Sequence, residues 1–204
     1  MKVLGFLGRI ARDGRGASAA EFALILPLFL LFFIGLIDAG RFLYEVNRGE
    51  KATQIGARMA VVTDPVAQSL STASYVGTSV GGATLTQGDR IPAGALGSLV
   101  CNQTNCVGTS PHPGTTRNAT AFTNLLARMQ QIMPAIQSDN LVVEYRGSGL
   151  GFAGNPDGMD ISPLVTVRLT DLNFSPILLF GGNISLPDFS YTLTMEDGDG
   201  AGSN

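Results

Sequence analysis

The sequence predicts an α+β protein: one long N-terminal transmembrane and stalk helix, then a small extracytoplasmic domain with an antiparallel sheet and one packed helix. Three observations predict it. Residues 22–37 read FALILPLFLLFFIGLI without an ionisable group. Helical spacing then continues to about residue 62, where Asp64-Pro65 stops it. Further on, one amphipathic helical segment is followed by three strand-like segments separated by Gly, Asn, Asp and Pro turns. A chain of 204 residues holds an anchor and one ordinary domain of about 100 to 150 residues.

The anchor comes first. Charged residues are only 14% of the chain and hydrophobic residues 45%, so an apolar excess must be placed somewhere. A bilayer core of about 30 Å takes roughly 20 mostly apolar helical residues, and residues 17–38 supply them. Lys2, Arg9, Arg12 and Arg15 precede this run against the single Asp13, whereas acidic side chains outnumber basic ones after it. That asymmetry predicts a cytoplasmic N-terminus, with the rest of the chain extracytoplasmic. A cleaved signal peptide would have a shorter apolar core and a small-x-small site, which Gly35-Leu36-Ile37-Asp38-Ala39-Gly40 does not offer. A buried helix of a soluble domain would carry a polar face. A plain anchor with no further meaning stays open.

Glu21 is the anomaly, because a carboxylate in an apolar segment costs several kcal/mol unless it is paired, protonated or near the interface. It could snorkel to the cytoplasmic surface beside Arg15. The stretch Gly16-Ala17-Ser18-Ala19-Ala20-Glu21-Phe22, behind a short basic leader, resembles the processing site of type IV prepilins. That resemblance implies cleavage after Gly16 by prepilin peptidase, leaving Ala17 as N-terminus and Glu21 as the fifth mature residue. The new ammonium group could then neutralise Glu21 of a neighbouring subunit in a low-dielectric helix bundle. Across residues 15–60, Glu21-Phe22-Ala23, Pro27, Gly35, Asp38, Gly40-Arg41 and Ala57-Arg58 follow one another in an order that resembles the TadE-like family of tight-adherence (Flp-type IVb) pilus systems. The resemblance implies a membrane-anchored minor pilin or pseudopilin that helps assemble or prime the fibre. Its implied partners are prepilin peptidase, other pilin subunits and the inner-membrane assembly platform. Major Flp pilins are much shorter and usually carry Glu-Tyr, so the bulk fibre subunit is not the expectation.

Residues 39–63 are expected to form a helical stalk, with Phe42, Leu43, Val46, Ile55, Met59 and Val62 on one side and Glu45, Arg48, Glu50 and Lys51 free to face water. A helix from residue 17 to 62 would measure about 69 Å at 1.5 Å per residue. Pro27 should kink it within the membrane, and Gly35 with Ala39 makes one small-x-x-x-small pair for close helix packing.

The external domain is assigned to residues 64–195 and an acidic disordered tail to 196–204. Residues 66–120 are rich in Gly, Ser, Thr and Asn and read as loops and small strands. The only cysteines, Cys101 and Cys106, suit a local disulfide in an oxidising compartment; a metal site would need further ligands, and His112 is the only histidine. Residues 122–136 space Phe122, Leu125, Leu126, Met129, Ile132 and Met133 for a helix ended near Pro134. Strands follow at residues 141–146, 163–169 and 189–195.

Little here points to chemistry. His112 lies in the turn-like Ser110-Pro111-His112-Pro113 with no nucleophile motif to support a triad. Gly147-Ser148-Gly149-Leu150-Gly151 follows a strand, yet Phe152 stands where a phosphate-binding loop needs glycine, so it reads as a flexible connection. The tail Glu196-Asp197-Gly198-Asp199-Gly200 lacks calcium-loop spacing. Net charge is −3, without the clustered basic face of a nucleic-acid binder. The expectation is therefore no enzyme, no cofactor, no metal and no nucleic acid. An uncleaved membrane scaffold of the same machinery and an anchored periplasmic hydrolase or ligand-binding domain are the alternatives.

Overall fold

The computed structural model describes residues 17–109, 113–179 and 181–195. The expected leader at 1–16, the tail at 196–204 and His112 lie outside the described residues. The chain is α+β and divides into two compact units: residues up to Tyr44 with Phe174–Ile184, and Glu45–Asn173 with the residues from Ser185 onward. Helix α1 (Ala17–Ala60, 44 residues) contributes to both.

In the first unit, α1 is long and apolar enough to cross a membrane by length and composition. Large side chains point outward all round it, Leu24, Leu28, Phe32 and Leu36 among them. A helix apolar on every side suits hydrocarbon rather than water. Pro27 lies inside this helix, where the backbone carbonyl it frees must be satisfied by neighbouring groups.

The second unit is built on a five-stranded antiparallel sheet. Short helix α2 (Ser69–Thr72) and the two-stranded pair β1 (Ser79–Val80) and β2 (Ala83–Thr84) precede it. Its strands are β3 (Ser98–Cys101), β4 (Cys106–Gly108), β5 (Leu141–Arg146), β6 (Leu164–Leu169) and, after two short strands, β9 (Phe189–Thr194), in the spatial order β4-β3-β5-β6-β9. The short strands are β7 (Asn173–Phe174) and β8 (Ile184–Ser185), which pair with each other. The register sets Leu141 opposite Leu169, Val143 opposite Val167, and Tyr145 opposite Val165. Because side chains alternate across a strand, this puts Leu99, Cys101, Leu141, Val143, Tyr145, Val165, Val167, Leu169 and Phe189 on one face, and all are buried. The other face carries Glu144, Arg146, Thr166, Arg168 and Thr192. There Glu144, only 3% exposed, is held by Arg146 and Arg168, and the Thr166 and Thr192 hydroxyls share a 2.8 Å hydrogen bond.

Helix α3 (Ala119–Gln130) starts at Asn118, whose side chain accepts from the Ala121 amide at 3.0 Å, a Ncap bond that satisfies one orphan donor. Phe122, Leu125 and Met129 form its buried stripe. The helix ends four residues before Pro134, which disfavours helical geometry at the preceding residue. Turns continue from there, with Met133 donating to the Met129 carbonyl at 3.0 Å and Ile136 to that of Met133 at 3.1 Å, and both side chains stay buried. The expected strands correspond to β5, β6 and β9, each within one residue at either end.

The stalk differs from expectation. From Glu45 on, α1 belongs to the folded unit, and Gly49, Ala52, Thr53, Gly56, Ala57, Met59 and Ala60 are buried. Arg48, expected in water, is half-buried and donates from Nε and Nη2 to the Ile132 carbonyl at 2.9 and 2.8 Å while pairing with Glu45 at 3.0 Å. A guanidinium's fork of donors explains this: one carbonyl at a helix end and one carboxylate both fit it. The helix stops at Ala60, two residues before the expected end.

Gly147 and Gly151 are where backbone meets backbone. A Cβ on Gly147 would stand 1.9 Å from the Ala93 carbonyl oxygen, and one on Gly151, at φ +113°, 2.2 Å from that of Asp160. These glycines serve close approach rather than a flexible connection. Asp160, 5% exposed, collects the neighbouring loops by accepting from the amides of Tyr75, Gly154 and Asn155 at 2.7 to 2.9 Å.

Candidate functional site

The processing segment enters the described chain at Ala17, the first residue of α1; Gly16 lies outside the described residues. Glu21 and Phe22 follow in the first two turns, both exposed on the protein. Helical geometry places Glu21 one turn above Ala17, so a carboxylate stands within a turn of the predicted new N-terminus.

At the other end of the apolar run, Asp38 makes a second feature, to which sequence reading gave only a place in the family pattern. The residue is 7% exposed. It accepts from the Ile177 amide at 2.9 Å and from the Leu178 amide at 2.8 Å, on different oxygens. Arg41, one turn on, donates Nη1 to Oδ1 at 2.9 Å. Three donors satisfy the buried charge, and charge-assisted bonds of this kind are roughly twice as strong as neutral ones. Phe174 packs edge-on to Phe42, centroids 5.6 Å apart at 77°, while the Arg41 guanidinium stands 5.2 Å above the Phe174 ring, within cation–π reach. Gly35 also takes part: a Cβ there would stand 3.9 Å from Leu178 Cδ2. The small face at Gly35, expected to serve helix packing with Ala39, is thus met by a residue of the same chain. Asp38, Ala39, Phe42, Phe174, Pro176 and Ile184 line an apolar groove.

Cys101 and Cys106 form a disulfide, Cα atoms 4.0 Å apart, directly opposite each other on β3 and β4. The loop between them is set by Asn102, whose Oδ1 accepts from the amides of Thr104 and Asn105 at 2.8 and 2.9 Å, an Asx turn. The crosslink closes a six-residue hairpin and touches none of the other sites.

Among the described residues no three His, Cys, Asp or Glu side chains gather as metal ligands would. Buried carboxylates instead take backbone amides (Asp38, Asp160) or arginines (Glu144). Burial raises the Tyr75 phenol to about 12, helped by the Asp160 charge. It raises that of Tyr145 as well, although Tyr145 accepts a 2.8 Å bond from the Val66 amide. Both hydroxyls are held in their neutral form.

No curated protein matches the chain, and no solved structure does. Residues 16–58, which carry the predicted processing site, the apolar run, Asp38 and the helical continuation into the folded unit, match the family described as TadE-like protein, and the family-level function that goes with this segment is Tad/Flp pilus-related.

Proposed function

We propose that this chain is a membrane-anchored minor pilin or pseudopilin that takes part in assembling or priming a Flp-type pilus, with no reaction of its own. One observation carries the reading: the TadE-like match begins at Gly16, and the Ala17 that follows is the first residue of a 44-residue helix bearing Glu21 five positions after the glycine. The chain sits in the inner membrane with its N-terminus cytoplasmic, supported by the basic residues ahead of the apolar run, and the disulfide-bearing unit faces an oxidising compartment. Prepilin peptidase removes residues 1–16. The Ala17 ammonium group of one subunit then meets Glu21 of the next, a pair that fixes helix register because neither charge is tolerated alone in hydrocarbon. The folded unit makes protein contacts with other pilin subunits and the assembly platform.

The test is intact mass and N-terminal sequencing of the protein purified from its native membrane, beside a Gly16→Leu variant. A mature start at Ala17, abolished by the substitution, is the expected result. Retention of Met1 in the unaltered protein would overturn the processed-pilin reading in favour of an uncleaved scaffold.

A further inference from the structure

We propose that residues 174–179 and 181–184 form a second membrane-contacting element, seated at the headgroup–acyl boundary of the leaflet and pinned there by Asp38. The proposal rests on α1 crossing the bilayer and holds whether or not residues 1–16 are removed.

Depth is the first argument. Phe174 packs on Phe42, and four residues later Leu178 faces Gly35. The segment therefore descends α1 by seven helical residues, about 10 Å at 1.5 Å per residue. Gly35 lies inside the uncharged run that ends at Ile37. Measured from Asp38, it is about 4 to 5 Å deep, close to the 5 to 10 Å at which interfacial elements bury their apolar face. A residue packed on a lipid-facing part of a membrane helix shares that helix's solvent.

Composition is the second. No charged residue occurs between Asp171 and Asp188, so nothing ionised in this stretch opposes its entry into the interface. Ile177, Leu179 and Ile184 are 52, 51 and 42% exposed, so three large apolar side chains around one short loop lack protein cover. Such a cluster in water forfeits the burial its area could gain, about 25 cal/mol per Å².

The backbone is the third. Irregular chain can approach hydrocarbon only if its polar groups are satisfied by protein. Pro176 has no N–H to satisfy, Ile177 and Leu178 give theirs to Asp38, and Gly182 donates to the Leu179 carbonyl at 2.9 Å. Ser175 and Asn183 join by a 2.6 Å side-chain bond across the neck, at the level where water begins. The carboxylate of Asp38 thus removes two donors from the loop where lipid could not.

The chain contains no tryptophan, so Leu179→Trp installs a single reporter. The full-length protein is reconstituted at one copy per lipid nanodisc of phosphatidylcholine and phosphatidylglycerol. Quenching by lipids brominated on the acyl chain is compared with quenching by aqueous iodide, and Val107→Trp, on the exposed edge strand β4, is the control. The expected result is emission at shorter wavelength than the control, lost mostly to brominated lipid and little to iodide. Emission quenched by iodide and indifferent to brominated lipid would overturn the proposal by placing the loop in water. Shielding from both quenchers would also overturn it, by placing the loop against protein. Asp38→Ala in the Leu179→Trp background is expected to raise iodide quenching; no change would overturn the role of Asp38 as the pin.

Discussion

The two ends of α1 answer to different solvents, and their side chains show it. Between residues 18 and 37 the helix is clothed in Leu, Ile and Phe that stand outward on every side. From residue 49 to 60 its buried positions are Gly, Ala, Thr and a single Met. Lipid asks only that a surface be apolar and long enough; a protein core asks that volumes fit. Hence Gly49, where a Cβ would stand 2.4 Å from the Phe189 ring, and Gly56, where one would stand 2.7 Å from Met129 Sδ. One continuous helix buries small residues in its second half while Glu50, Lys51 and Arg58 stay exposed, so hydropathy alone reads only the first half.

The largest break in this comparison is expected from Met129→Ala. Met129 is fully buried against α1, so its truncation should cost about 2 to 5 kcal/mol, read as a lowered urea midpoint for the folded unit in nanodiscs. Phe32→Ala, on the lipid-facing half, should leave that midpoint unchanged; an equal loss would mean that the two halves are not independent.

Gly49→Val sharpens the contrast at the next scale. Overpacking against Phe189 should destabilise by about 1 to 3 kcal/mol in the same assay. Gly35→Ala should not, since its new methyl would meet Leu178 at an ordinary 3.9 Å and gains helix propensity of about 1 kcal/mol.

The smallest effect, nil at neutral pH, is alkaline. The Tyr75 phenol, ordinarily at 10.0, is pushed up to about 12 in the fold by burial and the Asp160 charge, and Tyr145 is raised too. Above pH 10 the unfolded chain gives up these protons while the folded one keeps them, so stability should fall as pH climbs from 10 toward 12. Denaturation midpoints across that range, with Tyr75→Phe reducing the slope, check the sign.

Much of this was legible in the sequence because it was local. Residues 141–146 and 189–195 alternate, residues 122–133 repeat at helical spacing, and two cysteines sit a hairpin apart; each signal lies within one element. The TadE-like pattern is likewise confined to 43 consecutive residues. What escaped reading was long-range or short. β3 and β4 are four and three residues long, too brief for a period to declare itself among Gly and Thr. Arg48 looked solvated because its carbonyl partner is 84 residues away. Asp38 was read as one letter of a family pattern, since nothing around it names the amides of Ile177 and Leu178.

That distance along the chain becomes an interval in time. Asp38 must wait for partners made 139 and 140 residues later, about 7 to 28 s at 5 to 20 residues per second. During synthesis the anchor therefore reaches the membrane with a carboxylate at its edge that has only Arg41 as a protein partner, and water must supply the rest. Only when residues 177 and 178 have been made can the chain return to its own beginning. The pin then reports that the chain has been made past residue 178, because any product truncated before residue 177 leaves Asp38 with Arg41 alone and its helix without a companion.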